Sequence, residues 1–275
     1  MGARGLKDVP REAEPAQLTA YRNAAPDSSW EQMRTDTLFN GPVAYTTCRT
    51  QLISDQGGLC AFCEIGIHEN DPLKCRVEHF HPKADISPEH NWALDWNNLL
   101  AVCSGGSWKH ASAPYALEPL SENLSCDAHK DRMIQAGVLP QQCEGWIINP
   151  LDLPRSPLLF RLERSTGKLF PNEVACATFT VWPGNQHTDV QELVQHTIKM
   201  LNLNCERLST ARLTISREIE RSKKRQRDAG FSAQQGLRNL AERYFRQRWP
   251  DFFTTIRLCL GATADQYLTD SGYRG

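Results

Sequence analysis

The segment "CAFC", Cys60 to Cys63, constrains this chain more than any other. A two-residue gap lets both thiolates reach one ion from a single turn. Gly57-Gly58, just before it, supplies backbone freedom for that turn. A tetrahedral structural site needs two further ligands. Cys103 closes the apolar run of "NNLLAVC", Cys126 opens "CDAHK", and these two are the leading candidates. Because 22 residues separate them, Cys75, His110 and His129 stay open as alternatives. The site would hold Zn²⁺ with four protein ligands and no open position, a structural role. Cys48, Cys143, Cys176, Cys205 and Cys259 stand alone and read as small buried apolar residues.

The compartment follows from what surrounds these cysteines. "MGARGLKDVP" has basic residues with no apolar run behind them, so no signal peptide is read. No stretch approaches the roughly 20 apolar residues of a membrane span. The ten cysteines are therefore expected in a reducing cytoplasm, where clusters serve metal binding or catalysis rather than disulfides. Formal net charge is −1, which gives no global field for a nucleic-acid partner. Residues 205–250, however, hold 12 Lys and Arg against 5 Asp and Glu. A polyanion-facing surface and a plain solvated helix face explain that excess equally well.

The pattern of apolar residues predicts an α+β chain of three parts. Residues 1–40, rich in Pro, Ala and charge, read as an extended arm. A helix is expected from Gly41-Pro42 to Ile53, followed by a knuckle and two strands either side of the "HENDP" turn. The stretch between Cys103 and Cys126 reads as an inserted loop. "INPLDLPRSPLLFRLERSTGKLFPN" predicts a hairpin turning at Ser165 to Gly167. A helical region, 188–275, then begins with Thr188 and Gln191 as a capping box. Val190, Leu193, Val194, Ile198 and Leu201 recur at helical spacing, as do Leu208, Ala211, Ile215 and Ile219. A third helix is expected from Ser232 to Trp249, limited by Pro250.

Between the first two cysteines and the later ones lies "RVEHFHPK", Arg76 to Lys83. On a strand, Glu78 and His79 point to opposite faces while His79 and His81 share one. Pro82 can turn the chain and bring such groups back toward one cation. A carboxylate is the ligand type of Mg²⁺, and a neutral histidine suits removal of a proton from water. Taken alone, Glu-His is an ordinary pair of solvent-facing polar residues; the zinc knuckle before it and the cysteine after it favour an active site.

This order of motifs resembles the HNH (ββα-metal) nucleases: "CAFC", then "VEHFHP", then "NNLLAVC", then "CDAHK". The likeness is greater still to the HNH subunit, PtuB, of Septu-type phage-defence systems, including those linked to retrons. "GLCAFCE", "VEHFHPK", "DWNNLLAVC" and "INPLDL" carry it, and "LNLN" near Leu201 extends it. It covers roughly residues 50–220. The resemblance implies a ββα core with a zinc knuckle formed by Cys60, Cys63, Cys103 and Cys126, in a nuclease domain over 41–187. It makes His79 the general base, Glu78 and Asp127 ligands of a catalytic Mg²⁺ or Mn²⁺, and Asn98 the residue that holds loop and imidazole. Lys130 would approach phosphate. Asp127 departs from the family's usual His or Asn, which makes His129 a rival ligand.

What the resemblance implies in chemistry is hydrolysis of a phosphodiester in nucleic acid, within an antiphage complex. A PtuA-like ATPase subunit is the expected partner, and in retron versions a reverse transcriptase with its RNA–DNA product. No nucleotide-binding Gly-rich loop occurs in the chain, in keeping with a separate ATPase. A competing reading is a non-catalytic zinc knuckle that binds nucleic acid or a partner protein, with Glu78 and His79 merely exposed.

Overall fold

The computed structural model describes residues 11–67, 75–107, 121–154, 156–246 and 249–272. The N-terminal stretch, expected to be an extended arm, instead carries two helices: α1 (Ala16–Ala24) and α2 (Trp30–Thr35). Leu18 and Tyr21 share one helix face, as do Trp30 and Met33, and all four are buried. Ser29 and Gln32 close a full capping box on α2. Both helices pack on α3 (Gly41–Asp55), which has Pro42 in its first turn and stops before Gly57-Gly58. Proline-rich composition hid two helices of nine and six residues, each ordered by burial rather than by propensity.

Strands β1 (Cys75–His79) and β2 (Leu99–Cys103) pair antiparallel, with Cys75 opposite Cys103 and His79 opposite Leu99. Every residue of β2 is buried. The "HENDP" turn lies outside the described residues, and of the strand expected before it there is one bridge, Leu59 to Gly66. Most of the inserted loop, 108–120, also lies outside them. Helix α4 (Cys126–Gln135) then packs against β2.

The hairpin forms as expected, from β3 (Phe160–Glu163) and β4 (Lys168–Pro171), and the short α5 (Glu173–Cys176) follows. Helix α6 (Val190–Met200) is capped by Asp189, whose carboxylate accepts the Glu192 amide at 2.8 Å, one residue later than the expected Thr188 cap. Helix α7 (Glu206–Asp228) ends at Ala229-Gly230. Helix α8 (Ala233–Phe245), capped by Ser232, stops short of Trp249. Two helices went unread in the sequence, α9 (Phe253–Leu260) and α10 (Ala262–Asp270). Their apolar residues join those of α8 and Ile219 in a second core, whereas Leu208 and Ala211 of α7 belong to the first. Helix α7 thus runs from one core into the other. Among the described residues no helix is long and apolar enough to cross a membrane.

Candidate metal centre and adjoining polar cluster

The knuckle places its cysteines through backbone bonds. Ile67 N–H donates to Gly58 O at 2.7 Å, and Cys60 N–H to Ile65 O at 2.9 Å. Gly57 and Gly58 both take positive φ, where a side chain would be strained. Cys103 ends β2 and Cys126 opens α4, so the strand and the helix carry the second pair to the knuckle. The sulfurs of Cys60, Cys63, Cys103 and Cys126 all lie within 4.8 Å of one another and are buried. Cys63–Cys103 is 3.7 Å, Cys103–Cys126 3.8 Å and Cys60–Cys126 4.0 Å. Metal–sulfur bonds of about 2.3 Å set tetrahedral edges of about 3.8 Å, so the four sulfurs fit one ion.

Electrostatics agree with that fit. Burial raises the Cys63 and Cys126 thiols, and their sulfur neighbours raise them further on balance. Burial acts the same way on Cys60, but hydrogen bonds from Cys103, Cys126 and Cys63 overcome it and hold Cys60 well below the ordinary thiol value. Four thiols in one buried space can share only limited negative charge unless a cation compensates it. Of the three alternative ligands, Cys75 stays outside the group, and burial pushes its thiol to about 12. His129 turns its Nδ1 to the Met200 carbonyl at 2.8 Å. His110 lies outside the described residues.

On the same strands and helix sits a second cluster. Glu78 in β1 and Asp127 and Lys130 in α4 are all buried. The Lys130 ammonium rests on Glu78 Oε1 and donates to the His79 carbonyl at 3.4 Å. Lys130 therefore faces inward. Arg76, which shares a strand face with Glu78, approaches Asp127 Oδ2 at 3.7 Å. Asp127 Oδ1 is buried without a hydrogen-bond partner among the described residues. Burial raises the Glu78 carboxyl well above the usual range; Lys130 pulls it down and the Asp127 carboxylate pushes it up again. For Lys130, burial opposes the charge, yet the fields of Glu78, Cys143 and Asp127 outweigh it and raise the ammonium. Two inward carboxylates with an oxygen left unpartnered are a donor set for a hard cation such as Mg²⁺ or Mn²⁺.

His79 ends β1 beside this cluster. Its Nε2 lies 3.1 Å from the Ala93 carbonyl, so Nε2 carries the hydrogen and Nδ1 is left as the acceptor. Trp30 packs edge-on against the ring at 4.8 Å. Burial lowers the His79 pKa to about 4, despite the Ala93 carbonyl, which leaves the ring neutral at pH 7. Asn98 clamps the following loop. Its Oδ1 accepts from His81 N–H at 2.6 Å, and its Nδ2 donates to the carbonyls of His81 at 3.0 Å and Trp92 at 2.9 Å. His81 is held separately, between Glu144 at 2.6 Å and Asp85 at 2.8 Å, stacked on Trp92.

Sequence reasoning missed Arg76 and Trp30. The alternation within "RVEH" could have found the first; nothing local marks Trp30, because its partner is distant in the chain.

Fold and site together define a mixed α/β protein in which four cysteines placed to hold one metal ion and a carboxylate–lysine–histidine cluster share two strands and a helix. No family model matches the chain. A protein of Escherichia coli assigned as the HNH endonuclease of retron Ec83 is 34% identical to it over 209 residues, 75% of this chain and 78% of that relative. The chain belongs to the retron-associated HNH endonucleases, and is by that membership a nuclease.

Proposed function

We propose that the chain hydrolyses phosphodiester bonds in nucleic acid with β1, β2 and α4 as its ββα-metal core. The observation that carries this reading is the convergence of Glu78, Asp127 and Lys130 beside a neutral His79. Glu78 and Asp127 would hold Mg²⁺ or Mn²⁺. A bound divalent cation offsets the charge that develops on phosphate and leaving oxygen. His79 Nδ1 takes a proton from water, the water oxygen attacks phosphorus, and the 3′ oxygen leaves, giving a 5′-phosphate end. That proton transfer is worth about 10²–10⁴ in rate. An anionic phosphate close to His79 favours the imidazolium that forms and so raises a pKa that burial has lowered. Lys130 would pair with phosphate if Glu78 held a cation, and Asn98 keeps the loop and ring in position. The four cysteines would hold Zn²⁺, whose binding supports the fold and not the reaction.

In this reading the chain is the PtuB-like effector of a Septu-type antiphage complex in the cytoplasm. A PtuA-like ATPase restrains it, together with a reverse transcriptase and its RNA–DNA product. Residues 41–187 form the nuclease domain, and 188–275 the helical region that meets these partners. The test is cleavage of single-stranded DNA, duplex DNA and tRNA by the chain co-expressed with its ATPase, in Mg²⁺ and in EDTA. Mg²⁺-dependent ends bearing 5′-phosphate, lost in Glu78→Gln, are expected. Cleavage that survives both EDTA and Glu78→Gln would refute the reading.

A further inference from the structure

Helix α7 carries Arg217, Arg221, Lys224 and Arg227 at steps of four, three and three, which sets them along one face. Arg164, just after β3, adds a fifth cation from across an open groove of about 460 Å³. Ser216 and Glu220 complete its lining. Glu220 is the one acid there and is already shared by Arg164 at 3.3 Å and Lys223 at 2.8 Å. Arg221 reaches Glu218 only at 3.9 Å, with 72% of its side chain exposed. Among the described residues, Arg217, Lys224 and Arg227 have no carboxylate within ion-pair distance. Five cations against one acid give this groove a single sign of field, although the whole chain is near neutral.

We propose that this groove binds the phosphate backbone of nucleic acid, as an anchor distinct from the cleavage site; the role rests on the nuclease reading above. A protein partner fits less well. The lining holds no aromatic or aliphatic residue, whereas the buried centre of a protein interface is built on such residues. Arginine and lysine without aromatic platforms suit phosphate contacts that carry no base information. From Arg217 to Arg227 the helix rises about 15 Å. One strand of a duplex presents a phosphate every 3.4 Å or so, thus about four phosphates over that length, matched by four cations on α7. The groove also lies well away from the metal centre. Arg207, which bonds Ser125 next to Cys126 at 2.7 Å, precedes Arg217 by about 15 Å of helix. The groove would therefore grip nucleic acid flanking the bond to be cut.

The test is fluorescence anisotropy with a labelled DNA duplex of about three helical turns, titrated with the full-length chain at several salt concentrations. The variant joins Arg217→Gln, Arg221→Gln, Lys224→Gln and Arg227→Gln, all exposed-face changes to a good helix former. Its affinity at low salt should fall at least about tenfold, and its log–log salt slope should shrink by about three to four. Lys224→Gln alone, which preserves the fold even should the fourfold change not, should reduce the slope by about one. A slope unchanged in both variants overturns the proposal. So does loss of an acidic protein partner with DNA affinity intact, which would make the groove a protein dock. Because binding is read without turnover, salt-sensitive binding by a chain that fails to cleave would uphold the groove and refute the catalytic reading alone.

Discussion

Lys130, in the second turn of α4, buries its ammonium against Glu78 of β1, while Asp127, three residues earlier on the same helix, faces both. The ammonium compensates the charge of one inward carboxylate, Glu78, at the point where a divalent cation is proposed to sit. Removing one partner of a buried ion pair costs about 3–5 kcal/mol, because the other charge is left uncompensated. Lys130→Met should therefore lower thermal stability markedly in EDTA. Saturating Mg²⁺ should restore more of that stability than it adds to the wild type, since binding to the folded state stabilises it by linkage. Melting temperatures of both proteins with Mg²⁺ and with EDTA check this. Equal Mg²⁺ effects would mean that the two carboxylates do not hold the ion.

Asn98 spends its whole amide on the loop after β1, bonding His81 twice and Trp92 once. Asn98→Ala leaves those buried backbone groups unpaired, at about 1–3 kcal/mol for each group that water cannot reach. Cleavage should fall at least tenfold, and amide exchange at His81 should quicken. Metal content should stay unchanged, because the four sulfurs approach from other residues.

Glu64, inside the cysteine knuckle, accepts the backbone N–H of Thr254 at 2.9 Å and its hydroxyl at 2.5 Å. Thr254 is in the first turn of α9, whose own cap position, Phe252, offers no side-chain acceptor. The knuckle thus supplies the cap that α9 lacks. Glu64→Ala should cost about 1–2 kcal/mol and reduce hydrogen-exchange protection in Phe253–Leu260. Stripping the metal from the wild type should reduce protection in the same segment. Protection unchanged in both experiments would refute the link.

Burial holds the His79 pKa at about 4, below the value of about 6.5 in an unfolded chain. The folded state therefore excludes a proton that the unfolded state binds. Stability is fully present above pH 6.5 or so and is lost as pH falls toward 4. At about 1.4 kcal/mol per pKa unit the loss is on the order of 3 kcal/mol. Urea unfolding between pH 7 and 4.5 should show a slope that flattens in His79→Ala. An equal slope in both would place the acid sensitivity elsewhere.

The parts of this molecule legible in its sequence are those fixed by short-range chemistry. The gap within "CAFC" and the cysteines closing "NNLLAVC" and opening "CDAHK" pointed to the four sulfurs that the fold brings together. The β3–β4 hairpin and the long α6 and α7 were legible because turn residues and apolar spacing act locally. Helices α1 and α2 were not, because their few apolar residues gain stability only by docking on α3. Trp30 against His79 was hidden for the same reason. The inward turn of Lys130 was equally invisible, since a lysine's default is solvent and only the Glu78 partner across the strand–helix interface reverses it.

The central claim is that two metal centres with separate roles share one small scaffold. The measurement is zinc per chain alongside Mg²⁺-dependent cleavage for His79→Ala and Cys63→Ser, with the proposed ATPase partner present. His79→Ala should keep its zinc and its fold while cleavage falls by about 10²–10⁴. Cys63→Ser should lose zinc and become protease-sensitive, because metal binding is part of folding. If His79→Ala loses zinc while Cys63→Ser stays folded and active, the assignment of roles to the two centres is contradicted.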